Sequence, residues 1–258
     1  LVVLVLTTIS VVIPAYNAER TIRACLDALR QQARPPFEII VVDSSQDATA
    51  RIIQQEYSRV RLVHLPHQTY PGPARNLGVQ LARQPIIAFT DADCAVEPSW
   101  LERIAQRQHQ GWRAVGGSIQ VGDPTSAIAW AGHMMEFREF LPTGAPRRVA
   151  HIPSCNIAYR REDILSTGGF SEAYYPQEDL LFNHDLTRRG VAILFDPQIS
   201  VRHFCRDRLG GYLSHQYRIG RVTCHVLRKL PVRHAWVARH ALSVWLAAPP
   251  LGIIKSTR

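Results

Sequence analysis

Two aspartates separated by one residue end an apolar run in the sequence Phe89-Thr90-Asp91-Ala92-Asp93. Two carboxylates this close repel each other when buried, unless a cation or hydrogen-bond donors lie between them. Hard divalent ions such as Mg²⁺ and Mn²⁺ prefer oxygen ligands and bind diphosphates. The pair therefore indicates a metal site for a diphosphate. The same residues also fit a solvated turn in which Asp93 caps the next segment.

Similar polar clusters follow other strands of the predicted fold. Short β-branched runs at 9–13, 37–42, 60–64 and 85–90 alternate with helical spacing at 18–32 and 48–56. This alternation is typical of an α/β fold with a mostly parallel central sheet flanked by helices. Polar residues stand at 14–17, 43–47 and 91–93, just past the strands. Ligands bind beyond the carboxyl ends of such strands, so the pattern predicts one shared site.

The second half of the chain has a looser pattern. It predicts helices at 99–109, from 162 and at 179–189, strands at 114–121, 191–195 and 199–203, and a Gly/Pro-rich connection at 144–153. A clear amphipathic helix is predicted at 210–230, with Tyr212, Ile219, Val222, Val226 and Leu230 on one face and Arg218, Arg221, His225 and Arg228 on another. The fold is thus expected to carry a helical, basic C-terminal appendage.

The excess of positive charge lies in the last quarter of the chain. The 258 residues carry a formal charge of +9, yet residues 1–196 hold 19 Lys+Arg against 20 Asp+Glu, and residues 197–258 hold 11 against 1. A local basic tail beside a near-neutral body favours an anionic lipid surface or a phosphorylated substrate as partner. We therefore expect no nucleic-acid partner.

The cysteines and the apolar termini suggest less. The five cysteines are scattered without a CxxC pair, so no zinc cluster or disulfide framework is predicted and a reducing compartment is the simpler interpretation. Residues 1–6 are consistent with a non-native extension. The apolar stretch 241–254 is shorter than the about 20 residues of a membrane span. It fits either an interfacial segment or the beginning of a longer span.

Five motifs occur in the order used by family 2 glycosyltransferases of the GT-A fold. They are Val11-Val12-Ile13-Pro14-Ala15-Tyr16-Asn17, the segment from Val41 to Thr49, Pro71-Gly72-Pro73-Ala74-Arg75-Asn76-Leu77-Gly78, Asp91-Ala92-Asp93, and Gly168-Gly169-Phe170-Ser171-Glu172 followed by Gln177-Glu178-Asp179. The chain resembles this family from about residue 9 to residue 204. The resemblance implies a catalytic domain at 1–205, with a nucleotide-binding half at 9–97 and an acceptor half at 98–205, followed by a basic tail at 206–258.

The resemblance also implies roles for named residues. The donor is a nucleoside diphosphate sugar, enclosed by Pro14, Ala15, Tyr16 and Asn17, with the base read by Asp43. Arg75 suits the diphosphate because its guanidinium is always charged and fork-shaped, and Asp91 and Ala92 complete the donor site. The metal ligands are Asp91, Asp93 and His203. A packed strand-end histidine is an equal alternative for His203.

Asp179, with Glu178 beside it, is the candidate general base. In an inverting displacement the acceptor hydroxyl attacks the anomeric carbon directly, and a carboxylate takes its proton. The alternative is that both acids only favour the first turn of a helix. Asn156 fits either an acceptor-side polar residue or a turn asparagine.

Two departures from the family pattern are informative. The second strand ends in Asp43-Ser44 where the family has two acids, so one donor contact is altered. The QxxRW motif of processive synthases is missing, because Gln216 is followed by Tyr217-Arg218-Ile219-Gly220. We therefore expect transfer of a single sugar to a glycan or lipid-linked acceptor.

The tail predicts a location and leaves alternatives open. Its basic face and its tryptophans Trp236 and Trp245 suit peripheral attachment to the inner, cytoplasmic face of the plasma membrane. Arg218 and Arg221 alternatively reach the donor diphosphate, and a solvated helix face packed on the domain is a third interpretation. Two other classes also stay open: a nucleotidyltransferase, and a non-catalytic module that binds nucleotide sugars or nucleic acid.

Overall fold

The structure is a computed structural model, and it describes residues 8–205 and 208–229. The first half contains four strands and two helices that agree with the periodicity, and a third helix at Pro71–Leu81 that was not predicted. Its elements are β1 (Ile9–Ala15), α1 (Ile22–Arg30), β2 (Glu38–Asp43), α2 (Thr49–Glu56), β3 (Val60–His64), α3 (Pro71–Leu81) and β4 (Ile86–Thr90). The remaining elements are β5 (Cys94–Val96), α4 (Trp100–His109), β6 (Ala114–Val121), α5 (Ala127–Phe137), β7 (Arg147–Val149), β8 (Asn156–Arg160), α6 (Arg161–Thr167), α7 (Glu178–Arg188), β9 (Ile193–His203) and α8 (Leu209–Lys229).

Within the described residues, nine strands form one sheet. Its order is β3-β2-β1-β4-β8-β6-β9-β5, with β7 paired to β9. The strands β3, β2, β1 and β4 are parallel, whereas β8 runs antiparallel to both β4 and β6. The sheet flanked by helices is confirmed. Parallel pairing dominates only the first half, and the second half is mixed.

The packing of the core explains why the strands and helices of the first half could largely be predicted from the sequence. Every residue of β1 is buried, and α1 packs one apolar face on the sheet through Ile22, Cys25, Leu26 and Leu29. Gly78 of α3 lies against Val12, where any Cβ would clash. A residue without a side chain at this position lets α3 approach β1 closely.

The rest of the chain differs from the predicted pattern in several places, and the strands β5 and β8 were not predicted. One strand, β9, replaces the two predicted at 191–195 and 199–203, and its pairing with β6 shifts register between Gly117 and Ser118. This bulge accommodates Pro197, which interrupts the apolar pattern. The connection at 144–153 contains the short strand β7. Helix α5 was not predicted because it is apolar on nearly all sides and so lacks helical periodicity.

The predicted amphipathic helix is present as α8. Tyr212, Ile219 and Val222 are partly buried and Val226 is fully buried, while Arg218, Arg221 and His225 are exposed. In the part of the chain that the structure describes, no helix is both long and apolar enough to cross a bilayer. The predictions for 1–6, Leu230, Trp236, Trp245 and 241–254 lie outside the described residues.

Candidate active site

The polar ends of three neighbouring strands meet at one edge of the sheet. In the order β2-β1-β4, Asp43 ends β2 beside Ala15 of β1, and Asp91 follows β4. A cavity of about 430 Å³, the strand-end cavity, opens here. It is lined by Pro14, Ala15, Tyr16, Asn17, Ala18, Thr21, Gln68, Thr69, Tyr70, Pro71, Asp91, Ala92, Asp93, Tyr175 and Arg218. The structure thus brings most of the predicted donor-site residues together.

A second cavity of about 530 Å³, the acidic cavity, lies next to the first. Glu178 and Asp179 of α7 line it, together with residues of α5 and α8. Four residues belong to the walls of both cavities: Pro71, Asp91, Asp93 and Tyr175. A larger cavity of about 600 Å³ lies elsewhere, beside Phe37 and Tyr57, and none of the predicted site residues lines it. The two aspartates that were predicted to bind metal, Asp91 and Asp93, therefore lie between the two neighbouring cavities.

The loop after β1 is held in place by the loop after β2. The Asn17 N–H donates to Ser45 Oγ at 2.7 Å, and the Ala18 N–H donates to Thr49 Oγ1 at 2.9 Å. The Gln46 N–H donates in turn to Asn17 Oδ1 at 2.9 Å. Asn17 adopts a left-handed backbone with φ of 50°, a conformation that asparagine tolerates better than most residues. These bonds fix the loop that lines the strand-end cavity.

Asp43 is fully buried and lines neither cavity. Its Oδ1 accepts hydrogen bonds from Ser45, and its Oδ2 lies 2.7 Å from Nδ1 of His64. The role of Asp43 in reading the base stays a prediction. His64, whose side chain is 44% exposed, was missed in the sequence. The signal for it was position, since it ends β3 directly beside Asp43 in the parallel register.

Arg75 lies between acids of the two cavities. Its Nη2 is 2.7 Å from Asp91 Oδ1, and its Nη1 is 3.0 Å from Glu178 Oε1. Burial acts to lower the pKa of Arg75, but the neighbouring carboxylates raise it above its usual value, so the side chain stays charged. Because Arg75 is 3% exposed and its guanidinium holds two carboxylates, its contact with a diphosphate stays a prediction.

The motif around Arg75 is also tied to the later glycine motif. Asn76 accepts a hydrogen bond from the Phe170 N–H at 2.8 Å and donates to the Phe170 carbonyl at 2.8 Å. Gly169 adopts φ of 81° and lies against the Asn76 amide, where a Cβ would clash. The third and fifth sequence motifs therefore form one unit that positions Arg75 and Glu178.

Asp93 and His203 form the part of the site that suits a metal. Asp93 Oδ1 lies 3.6 Å from His203 Nε2, and the Asp93 side chain is 43% exposed to the cavities. Burial acts to lower the pKa of His203, but Asp93 raises it well above its usual value. Carboxylate and imidazole groups are a donor set that divalent ions accept. The residues present therefore fit a divalent metal, with Asp91 beside them in its pair with Arg75.

The carboxylate of Asp179 is held by backbone amides. Its Oδ2 accepts from the Ser154 N–H at 3.1 Å, and its Oδ1 accepts from the Leu180 N–H at 2.7 Å. Glu178 is 4% exposed, and burial raises its pKa to about 7 against the attraction of Arg75. Asn156 instead is fully buried and bonds Trp100, Ser118 and Ile199, so its role in the structure is internal.

Helix α8 closes one side of both cavities. Gln216 and Ile219 line the acidic cavity, and Arg218 lines the strand-end cavity. Gln216 Nε2 donates to Glu136 of α5 at 2.6 Å, which fixes α8 against the domain. The Arg218 side chain makes no hydrogen bond or ion pair with another described residue. The alternative that Arg218 and Arg221 reach the donor diphosphate anticipated a position of this helix beside the donor side, whereas its contribution to the acidic cavity was not predicted.

Comparisons with known proteins agree with this geometry. Residues 10–168 match the family described as Glycosyl transferase family 2. The chain is similar to the Haloferax volcanii glycosyltransferase AglE, at 28% identity over 92% of this chain and 79% of AglE. It is also similar to the Rhizobium meliloti succinoglycan biosynthesis protein ExoO, at 37% identity over 91% of this chain and 69% of ExoO.

A solved structure gives the same answer for the fold. The mannosyltransferase PcManGT of Pyrobaculum calidifontis, in complex with GDP-Man and Mn²⁺, superposes with a TM-score of 0.67 at 19% identity, over 86% of this chain and 63% of that one. The match to the glycosyl transferase family sets aside the nucleotidyltransferase and the non-catalytic module. The chain belongs to glycosyl transferase family 2 and is a glycosyltransferase with the GT-A fold.

Proposed function

We propose that this enzyme transfers a single sugar from a nucleoside diphosphate sugar to a hydroxyl of a lipid-linked or cell-envelope glycan, with inversion at the anomeric carbon. The observation that carries the proposal is the shared wall of the two cavities. Asp91 and Asp93 face both chambers, and Asp179 lines the second. A donor in the first and an acceptor in the second would meet at this wall.

The strand-end cavity supplies contacts suited to a nucleotide. Tyr16 is exposed at its rim, and Tyr70 stacks on Tyr175 with ring centroids 4.7 Å apart. Aromatic faces and fixed loops suit a planar base and its ribose. Arg218, which is charged and has no partner among the described residues, is the cation we assign to the diphosphate. PcManGT holds GDP-Man, which supports a nucleotide sugar as donor.

A divalent metal, Mg²⁺ or Mn²⁺, belongs to the same proposal. Asp93 and His203 would hold it, with Asp91 beside them. When bound, such an ion neutralises charge that develops on a departing diphosphate. Mn²⁺ is present in the PcManGT structure, and the mixed carboxylate and imidazole set of this chain is compatible with it.

Asp179 is the proposed general base. Its two oxygens already accept from backbone amides, which fix the orientation of the carboxylate toward the acidic cavity. The acceptor hydroxyl loses its proton to Asp179 as its oxygen bonds to the anomeric carbon. The bond from that carbon to the diphosphate oxygen breaks on the opposite side. Glu178 holds Arg75 and so positions the acids rather than reacting.

Peripheral attachment to the cytoplasmic face of the plasma membrane is part of the proposal. Exposed apolar side chains lie on two neighbouring helices, Trp130, Met134 and Met135 on α5 and Leu209, Leu213 and Tyr217 on α8. Basic side chains of α8 lie nearby in sequence, as in helices that bind anionic lipid. The protein should therefore sediment with anionic vesicles at low salt. Failure to bind such vesicles removes this part of the proposal alone.

The transferase proposal is tested by release of nucleoside diphosphate from a panel of UDP-, GDP- and dTDP-sugars with Mn²⁺. We expect one donor to be turned over, and turnover to stop when the metal is chelated. The matched control is Asp123→Asn, a change at an exposed acid outside both cavities. Donor turnover that Asp93→Asn leaves unchanged would refute the metal assignment. No turnover of any donor in the panel would refute the choice of donor class.

A further inference from the structure

Three cysteines that are far apart in the sequence gather around His203. Cys94 of β5 pairs directly with His203 of β9 in the antiparallel register. Directly opposed residues of two strands place their side chains on the same face. Cys205 Sγ lies 3.2 Å from His203 Nδ1, and Cys155 interacts with the thiol of Cys94. The wide spacing of the cysteines in the sequence predicted no zinc cluster, but three of them lie close to His203 in the structure.

One thiol is within reach of the proposed metal. Possible ligand atoms of Asp93, Cys94 and His203 all lie within 4.8 Å of one another. Cys94 Sγ is 3.9 Å from Asp93 Oδ1, and His203 Nε2 is 3.6 Å from that same oxygen. Tetrahedral metal sites bring sulfur, nitrogen and oxygen ligands together from separations of this size, because each lies about 2.0–2.3 Å from the ion.

Cys205 prepares the imidazole for this role. When Nε2 binds an ion, the ring proton lies on Nδ1, and Cys205 Sγ at 3.2 Å is placed to accept a hydrogen bond from it. Metal-ligating histidines are usually oriented through their second nitrogen in this way. Cys205 is thus a positioning residue, and Cys94 lies on the metal side.

We propose that Cys94 is a third protein ligand at the Asp93–His203 site, which gives the site a preference for thiophilic divalent ions such as Co²⁺, Zn²⁺ and Cd²⁺ over Mg²⁺. This inference rests on the metal site of the proposed function. When the ion binds, a metal–sulfur bond forms and the thiol proton passes to solvent, with no change of oxidation state. A carboxylate, an imidazole and a thiolate form a softer donor set than two carboxylates.

The experiment is a titration of the full chain with Co²⁺ at one fixed pH, followed by absorption. A thiolate ligand produces a sulfur-to-cobalt charge-transfer band that oxygen and nitrogen ligands do not. We expect this band in the native protein and in Cys224→Ser, a control at a cysteine of α8 that is not grouped with Asp93 and His203. We expect it to be lost in Cys94→Ser. The Cd²⁺ dissociation constant should rise about tenfold or more in Cys94→Ser, while that for Mn²⁺ changes far less.

Three results would overturn the inference. A band that persists in Cys94→Ser, or that disappears only in Cys205→Ser, would show that the sulfur bound to Co²⁺ is not that of Cys94. Co²⁺ that binds without any band leaves the metal site intact but removes Cys94 from it. Absence of Co²⁺ and Mn²⁺ binding, with and without a nucleoside diphosphate, removes the metal site of the proposed function as well. Should Cys94→Ser fail to fold, the band must survive both Cys155→Ser and Cys205→Ser.

Discussion

The two cavities share a wall but are built in different ways. The strand-end cavity is formed largely by loops at the carboxyl ends of parallel strands, and hydrogen bonds from backbone amides to side-chain oxygens of the neighbouring loop fix its shape. The acidic cavity is formed by side chains from α5, α7 and α8, which are separated by long stretches of sequence. The first therefore offers a preformed surface, and the second offers charged groups whose positions depend on helix packing. Donor recognition and acceptor chemistry should therefore respond to different substitutions.

The strongest test of this difference is Asp179→Asn. Removing the proton acceptor should lower the rate of transfer by about 10²–10⁴-fold, the usual contribution of a general base. Donor affinity should change little, because Asp179 lines only the acidic cavity. Steady-state transfer assays and calorimetric donor binding separate the two effects. Asp185→Asn on the exposed side of α7 is the control, and equal losses in both variants would contradict the assignment.

The next test addresses Arg75, which bridges Asp91 and Glu178 between the two cavities. Arg75→Ala leaves Asp91 and Glu178 without their shared cation in a buried setting, which should lower the free energy of unfolding by about 3–5 kcal/mol. Arg83 is the control, because its side chain is 67% exposed and its buried partner Glu38 would still accept hydrogen bonds from Ser10 and from the backbone N–H of residue 83. Arg83→Ala should therefore cost only about 1 kcal/mol or less. Urea unfolding measures both. If both variants lower the free energy of unfolding by similarly small amounts, Asp91 and Glu178 do not depend on Arg75 for their stability.

A smaller effect is expected on the donor side. Arg218→Ala should raise the Michaelis constant for the donor by roughly tenfold to a hundredfold, since one charged hydrogen bond to the diphosphate is lost. Arg221→Ala, on the same exposed flank of α8 but outside the strand-end cavity, should change it by less than about twofold. If both variants behave alike, Arg218 acts through general charge and not through contact.

The smallest expected effect concerns pH. The pKa of Glu178 is raised from its usual 4.5 to about 7 by burial, so the folded protein holds this proton more tightly than the unfolded chain. The resulting stability is fully present below about pH 4.5 and is lost as pH rises through about 7. Between about pH 5 and 8, the free energy of unfolding of the native protein should fall by on the order of 1 kcal/mol because of this group. Glu178→Gln should not show this fall. Parallel pH dependence of unfolding in both proteins would show that Glu178 is ionised throughout.

The same contrast explains what the sequence could predict. The donor loops, Asp91 and Asp93 each follow one strand with local periodicity, so their approach to one edge was predictable from the parallel fold. Helix α7 was also predictable, because it has local apolar spacing and ends before Gly190.

Other features depend on pairing between distant segments. The contact of Arg75 with Glu178 joins positions 103 residues apart, and the contact of Cys94 with His203 requires the register of β5 on β9. Helix α5 has no polar face to reveal its period. Spacing along the chain carries no information about such contacts, so the thiol cluster and the true partners of Arg75 could not be predicted.

The position of α8 has a consequence for how the chain should be divided. His203 ends β9, and α8 begins at Leu209, so the helix that covers both chambers starts within a few residues of the metal side of the site. A protein shortened to residue 205 would retain the whole sheet and each acid discussed above. It would nevertheless lose one wall of both chambers and leave them open to bulk water. The domain boundary proposed at residue 205 thus divides the polypeptide, but residues on both sides of this boundary line the two cavities.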